Sequence, residues 1–267
     1  MFTLKSARRQ AARAAAVVLA GAACATMTTG TAGAIINGED SSGRYSFMAS
    51  YPVTAVEDPT IKGICGASLI HPQWVLTAAH CIDPKITKPD GTIRIGSEHR
   101  TSGGTVRTID KMVIHRAYAQ GQPNRNDVAL MRLDRPVTQK PIRIADEPGR
   151  PGTHTRLLGF GTVDLTKWDF PNRLQQLETR VGATSECAPG WAGKTRICTV
   201  TRVPDAMACN GDSGGPQIQR GKGGRWELIG VTSGPGAPSP SCIEGPGLYS
   251  NASAYEGWIE KTITKRG

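Results

Sequence analysis

From Ile35 onward the chain is written in short apolar runs cut by turn residues, and this rhythm limits what it can fold into more than any other feature. The clearest runs are 67–70, 74–78, 92–95, 111–114, 128–133, 156–160 and 226–232. Runs this short, bounded by Gly, Pro and Asp, read as strands and not helices. Thirty-two glycines and 18 prolines supply the tight turns such a chain needs. Only the end reads as a helix, at about 254–264, where Tyr255, Trp258, Ile259 and Ile263 recur at helical spacing. The expectation is an all-β barrel or sandwich with a C-terminal helix, a choice that propensity leaves open. No repeat of 20–50 residues is evident, and no apolar run reaches the roughly 18–20 residues of a spanning helix.

Residues 1–34 differ from the rest. Lys5, Arg8, Arg9 and Arg13 form a positive start without acids, an apolar stretch covers 14–25, and Ala32-Gly33-Ala34 ends the segment. This is the pattern of a secretory signal peptide with a small-residue cleavage site, so the expected domain is 35–267 and the expected location extracellular. A twin-arginine route through Arg8-Arg9 fits its flanks poorly. A lipoprotein at Cys24 is disfavoured by Gly21, which stands where a large aliphatic residue is usual. Without the segment the formal charge falls from +10 to +6, since four cations leave and no acid does. The excess is spread along the chain, which argues against a nucleic-acid partner.

Six cysteines remain beyond Cys24, an even number suited to disulfides in an exported chain, and counting alone leaves 15 pairings open. No C-x-x-C occurs and Cys81 directly follows His80, which is poor metal-ligand spacing. Glu98 lacks the spaced acidic companions of a calcium loop, and His99, His115 and His154 show no ligand spacing. No metal or other cofactor is expected.

Three segments carry chemistry: Leu76-Thr77-Ala78-Ala79-His80-Cys81, Arg125-Asn126-Asp127-Val128-Ala129-Leu130, and Cys209-Asn210-Gly211-Asp212-Ser213-Gly214-Gly215-Pro216. Each alone is ordinary. Together, in this order, they resemble the trypsin/chymotrypsin family of serine proteases, and the resemblance runs from Ile35 to the C-terminal helix. A serine hydroxyl is a poor nucleophile at neutral pH and needs a base, which itself needs an orienting group. The resemblance assigns these roles to Ser213, His80 and Asp127, and it assigns the oxyanion hole to the N–H groups of Gly211 and Ser213.

The resemblance also implies two six-stranded antiparallel Greek-key barrels, roughly 35–145 and 150–252, divided in the Pro/Gly-rich connector at 141–155. It implies disulfides Cys65–Cys81, Cys187–Cys198 and Cys209–Cys242. It implies an activating α-amino group at Ile35, paired with Asp212. Because Ala32-Gly33-Ala34 directly precedes Ile35, signal cleavage would itself expose that amine. A cut further upstream, near 26–29, would instead leave a short propeptide.

By the same resemblance the acyl-side pocket has Met207 at the floor position where trypsin-like members carry Asp, with Ala208, Ser233, Gly234 and Gly247 around it. A cationic side chain there would find no counter-charge, so cleavage after apolar residues is expected. A shifted loop bringing Asp205 inward would restore basic specificity. The segment after Ser233, Gly234-Pro235-Gly236-Ala237-Pro238, departs from the usual Trp-Gly and leaves the pocket entrance open to question. A homologue that binds without cutting is the rival reading, although all three triad positions are kept. Expected partners are polypeptide substrates and proteinaceous inhibitors, with no stable membrane association and a monomeric chain.

Overall fold

A computed structural model describes residues 35–266 apart from Thr166, Lys167 and Pro240. The signal peptide expected at 1–34 lies outside the described residues. Fourteen strands are formed among the described residues. Strands β1 (Glu39–Asp40), β2 (Met48–Ala55), β3 (Lys62–His71), β4 (Trp74–Thr77), β5 (Thr87–Pro89), β6 (Thr92–Ile95), β7 (Thr105–Ile114) and β8 (Ala129–Leu133) come first. They are followed by β9 (His154–Gly159), β10 (Gln175–Val181), β11 (Arg196–Val200), β12 (Pro216–Arg220), β13 (Trp226–Pro235) and β14 (Gly247–Asn251). A 3₁₀ turn over Ala252–Tyr255 leads into α1 (Glu256–Arg266), so the α-helix proper starts two residues later than its periodicity suggests.

The strands close into two six-stranded antiparallel barrels. The first runs β2-β3-β4-β8-β7-β6 and shuts through β6–β2, with β5 added on β2. The second runs β9-β10-β11-β14-β13-β12 and shuts through β12–β9. Strand β1 adds to β10, so the first strand of the described residues packs on the second barrel although the first barrel follows it in sequence. Closure leaves few free sheet edges, which suits a chain this rich in strands.

Burial explains the strand patterns. β7 alternates in and out because one face meets solvent, whereas β3 is buried over its central six residues. One face of β3 looks into its own barrel and the other toward the second. Trp74, Leu69, Leu76, Ile93, Leu130 and Met131 fill the first barrel, and this core continues into Leu158, Ile218, Leu228 and Val231 of the second. The second barrel has its own cluster, with Ile35, Leu157, Leu177, Ile197, Met207 and Tyr249. The barrels meet closely at Gly66, whose N–H donates to Ser213 O at 2.7 Å. A Cβ on Gly66 would stand 2.7 Å from Gly215 Cα, so this approach requires glycine.

Candidate active site

The register of β4 and β8 brings two of the sequence-singled residues together. Thr77 pairs with Ala129 in antiparallel fashion, so His80, three residues past Thr77, and Asp127, two before Ala129, leave the same end of the barrel. His80 Nδ1 lies 2.8 Å from Asp127 Oδ2, and the His80 N–H donates to Asp127 Oδ1 at 2.9 Å. Two further donors hold the carboxylate: Ser233 Oγ at 2.6 Å and Asn124 Nδ2 at 3.3 Å, both to Oδ2. Asp127 is buried, while the His80 side chain keeps 18% of its surface exposed. The surroundings of Asp127 keep it charged. Burial pushes its pKa up, but the His80 charge and the hydrogen bonds from His80 and Ser233 outweigh that and hold it below the usual carboxylate value. Burial lowers the His80 pKa, and Asp127, through charge and hydrogen bond, more than reverses this and leaves it raised.

Ser213 arrives from the other barrel, on the turn before β12. Its carbonyl is tied to β3 through Gly66, and the neighbouring Gly214 N–H donates to Thr232 O on β13 at 2.9 Å. Ser233, the next residue of β13, is the one that reaches Asp127. The serine turn, the carboxylate and the imidazole are thus linked through one strand. Cys65–Cys81 ties β3 to the residue after His80. Ser213 Oγ makes no hydrogen bond to His80 here, a contact that commonly tightens only when substrate is bound. The N–H groups of Gly211 and Ser213 have no acceptor among the described residues. Gly211 has φ of +94°, the left-handed region in which a side chain would be strained, and that conformation leaves both donors unengaged.

Asp212 is wholly enclosed. It accepts from Gly161 N at 2.8 Å and Cys209 N at 2.9 Å, and burial pushes its pKa up to about 7. The ion pair expected with Ile35 is not formed in the continuous chain, because the Ile35 nitrogen is an amide there and carries no charge. The Ile35 side chain is nevertheless completely buried in the second barrel, and the next N–H, that of Ile36, donates to Met207 O at 3.1 Å.

A cavity of about 220 Å³ opens beside Ser213, lined among others by Met207, Ala208, Gly234, Gly247 and Tyr249. Met207 Sδ would lie 3.0 Å from a Cβ at Gly247, so these two residues pack against each other in its wall. Among the described residues no carboxylate lines the cavity. Asp205 is exposed outside it, with its carbonyl held by Asn37 Nδ2 at 2.9 Å. The disulfide Cys209–Cys242 contributes both cysteines to the cavity wall, and Cys187–Cys198 also forms, with Cys187 Sγ 3.9 Å from the carbonyl oxygen of the lining residue Gly247. Asn124 and Tyr249 were not legible as site residues, since neither carries a motif and only the fold brings them in.

The family model described as Trypsin matches residues 35–259. The chain belongs to the trypsin family. It is 30% identical over 209 residues to trypsin epsilon of Drosophila erecta, covering 74% of this chain and 77% of that protein. It is also 30% identical over 213 residues to the atrial natriuretic peptide-converting enzyme of Mus musculus, covering 75% of this chain but only 19% of that much longer protein. Among solved structures it resembles neuropsin, a serine protease expressed in the limbic system of mouse brain, at TM-score 0.69 and 27% identity, over 86% of this chain and all of neuropsin. As a trypsin-family member it is a serine endopeptidase acting on polypeptides.

Within this trypsin-family fold the segment after Ser233 keeps its strand. β13 runs on through Pro235, which pairs with Gly247, and Gly236 N–H donates to Pro246 O at 2.6 Å while its carbonyl accepts from Ala188 N–H at 2.8 Å. The departure from the usual sequence therefore leaves the wall in place and, within β13 itself, removes one N–H, at Pro235, while Pro238 beyond the strand lacks another.

Proposed function

We propose that His80, Asp127 and Ser213 are the catalytic triad of this endopeptidase, with Gly211 and Ser213 N–H as its oxyanion hole. His80 takes the Ser213 proton as the hydroxyl attacks the scissile carbonyl, then returns it to the leaving amine, and the acyl-enzyme is hydrolysed by the reverse sequence. Asp127 fixes the Nδ1–H tautomer and stabilises the imidazolium. Each oxyanion donor is typically worth ~3 kcal/mol of barrier. The observation that carries this reading is the 2.8 Å His80–Asp127 contact, with Ser233 holding the same carboxylate from the strand that also pins the serine turn.

The preference is for apolar side chains on the acyl side, because Met207 at the pocket floor offers sulfur and methylene where a basic side chain needs a carboxylate. The chain is exported by the segment 1–34, and cleavage before Ile35 supplies the amine that neutralises Asp212. These readings are tested together by digesting a mixed peptide pool with the purified enzyme and reading cut sites by mass spectrometry, with Ser213→Ala as control. Cuts after Leu, Met or Phe that vanish in the variant are expected. Cuts after Arg or Lys would overturn the pocket assignment alone, and no cuts from either form would favour a binding protein. N-terminal sequencing of the exported protein decides the cleavage point.

A further inference from the structure

Two Asn-Gly pairs occur in the chain, Asn37-Gly38 and Asn210-Gly211, and the fold treats them in opposite ways. An asparagine followed by glycine is prone to ring closure, because no Cβ on the second residue shields the backbone nitrogen that attacks the side-chain carbonyl. At Asn37 both reacting nitrogens are held. Asn37 Nδ2 donates to Asp205 O at 2.9 Å, and Gly38 N–H donates to Ile35 O at 2.8 Å. At Asn210 both are free among the described residues. Asn210 is exposed on the wall of the cavity beside Ser213, and it is held through its backbone carbonyl, which accepts from Thr162 N–H at 2.7 Å. The Gly211 N–H, aimed at the oxyanion position, has no acceptor. The pair forms the centre of a turn that Asp212 N–H closes on Cys209 O at 3.0 Å.

We infer that Asn210-Gly211 is a deamidation site whose reaction switches the endopeptidase off. The inference rests on the oxyanion role proposed for the Gly211 N–H. The deprotonated Gly211 nitrogen attacks Asn210 Cγ, the new C–N bond closes a succinimide, and the Cγ–Nδ2 bond breaks to release ammonia. The imide nitrogen carries no hydrogen, so one oxyanion donor is lost at that step. Water then opens the ring. Attack at the side-chain carbonyl returns the N–H but leaves an aspartate, whose charge opposes the developing oxyanion. Attack at the backbone carbonyl leaves isoaspartate, which inserts a methylene into the main chain and carries the Gly211 N–H off its aim.

A substrate whose carbonyl oxygen accepts from the Gly211 N–H occupies the attacking nitrogen. The working enzyme is therefore protected and the idle enzyme is not. Asn37, with the same dipeptide locked by hydrogen bonds, is the reference site within the same molecule.

The test follows the purified enzyme and its Ser213→Ala form, which cannot digest itself, through incubation at mildly alkaline pH. Peptide mapping by mass spectrometry reads the mass gained when an amide becomes a carboxylate. Asn210 should convert about tenfold or more faster than Asn37, because two hydrogen bonds must open at Asn37 before its ring can close. Surviving activity of the parent should track the unconverted fraction, since loss of one oxyanion donor slows a molecule by ~10²–10³-fold. Asn210→Gln, which would have to close a larger and less favoured ring, should keep its own starting activity over the same time. A peptide boronic acid, whose adduct on Ser213 places an oxygen against the Gly211 N–H, should slow conversion of the parent severalfold. No conversion at Asn210, or conversion no faster than at Asn37, would overturn the site and leave the oxyanion assignment standing. Conversion at Asn210 with activity fully retained would overturn the switch and the oxyanion assignment together.

Discussion

The buried carboxylates give the sharpest predictions at the residue scale. Asp127 holds the His80 pKa above its usual value, so kcat/KM should fall as pH drops through a point above 6.5, read from a pH–rate profile; a flat profile from pH 5 to 8 would exclude a histidine base. Ser233→Ala removes the 2.6 Å donor to Asp127 Oδ2. Hydrogen bonds to charged groups are worth about 1.5–3 kcal/mol, so kcat should fall roughly tenfold to a hundredfold with little change in KM. Asp212 works in the other direction. Its folded pKa of about 7 lies above the ordinary 3.8, so the uncut fold holds a proton that the unfolded chain releases, and stability declines as pH rises through that window. The loss amounts to about 4 kcal/mol at most. Urea melts should therefore show the uncut chain weaker at pH 7.5 than at pH 5. A chain beginning at Ile35, whose amine can meet the carboxylate, should lack that decline.

The same strands that carry the site show, element by element, where pattern reading works. The run 92–95 coincides with β6, and 226–232 falls inside β13, because these strands alternate or saturate in apolar residues. β10 escaped notice, since it reads Gln-Gln-Leu-Glu-Thr-Arg-Val. Gln175 and Gln176 are nevertheless buried, their amides donating to Asp40 and Glu39 of β1, so a partner distant in sequence makes a polar strand acceptable inside. β13 also sets a prediction. Pro235→Gly restores an N–H on the strand beside the cleft, so KM for extended peptides should fall while that for a single-residue ester stays unchanged. If both respond alike, Pro235 acts on the pocket and not on an added strand.

At the scale of the molecule, the site exists only where two barrels touch. His80 and Asp127 come from one and Ser213 from the other, and Gly66 sets their separation. Gly66→Ala would push a Cβ into Gly215, and overpacking of this kind costs ~1–3 kcal/mol. A chain of this size loses about 2–4 °C of Tm per kcal/mol, so the variant should melt lower and lose kcat together. Lost stability with full kcat would show that the contact does not position Ser213. The sequence by itself determined the strand-rich class, the terminal helix and the three motif segments, because periodicity and turn chemistry are local and the proposed nucleophile, base and orienting carboxylate stand in short recognisable strings. Only the tertiary structure decided that β1 joins the second barrel, that Ser233 and Asn124 hold Asp127, and that Asp205 stays outside the pocket. Those facts depend on contacts between residues far apart in the chain, which no local pattern encodes.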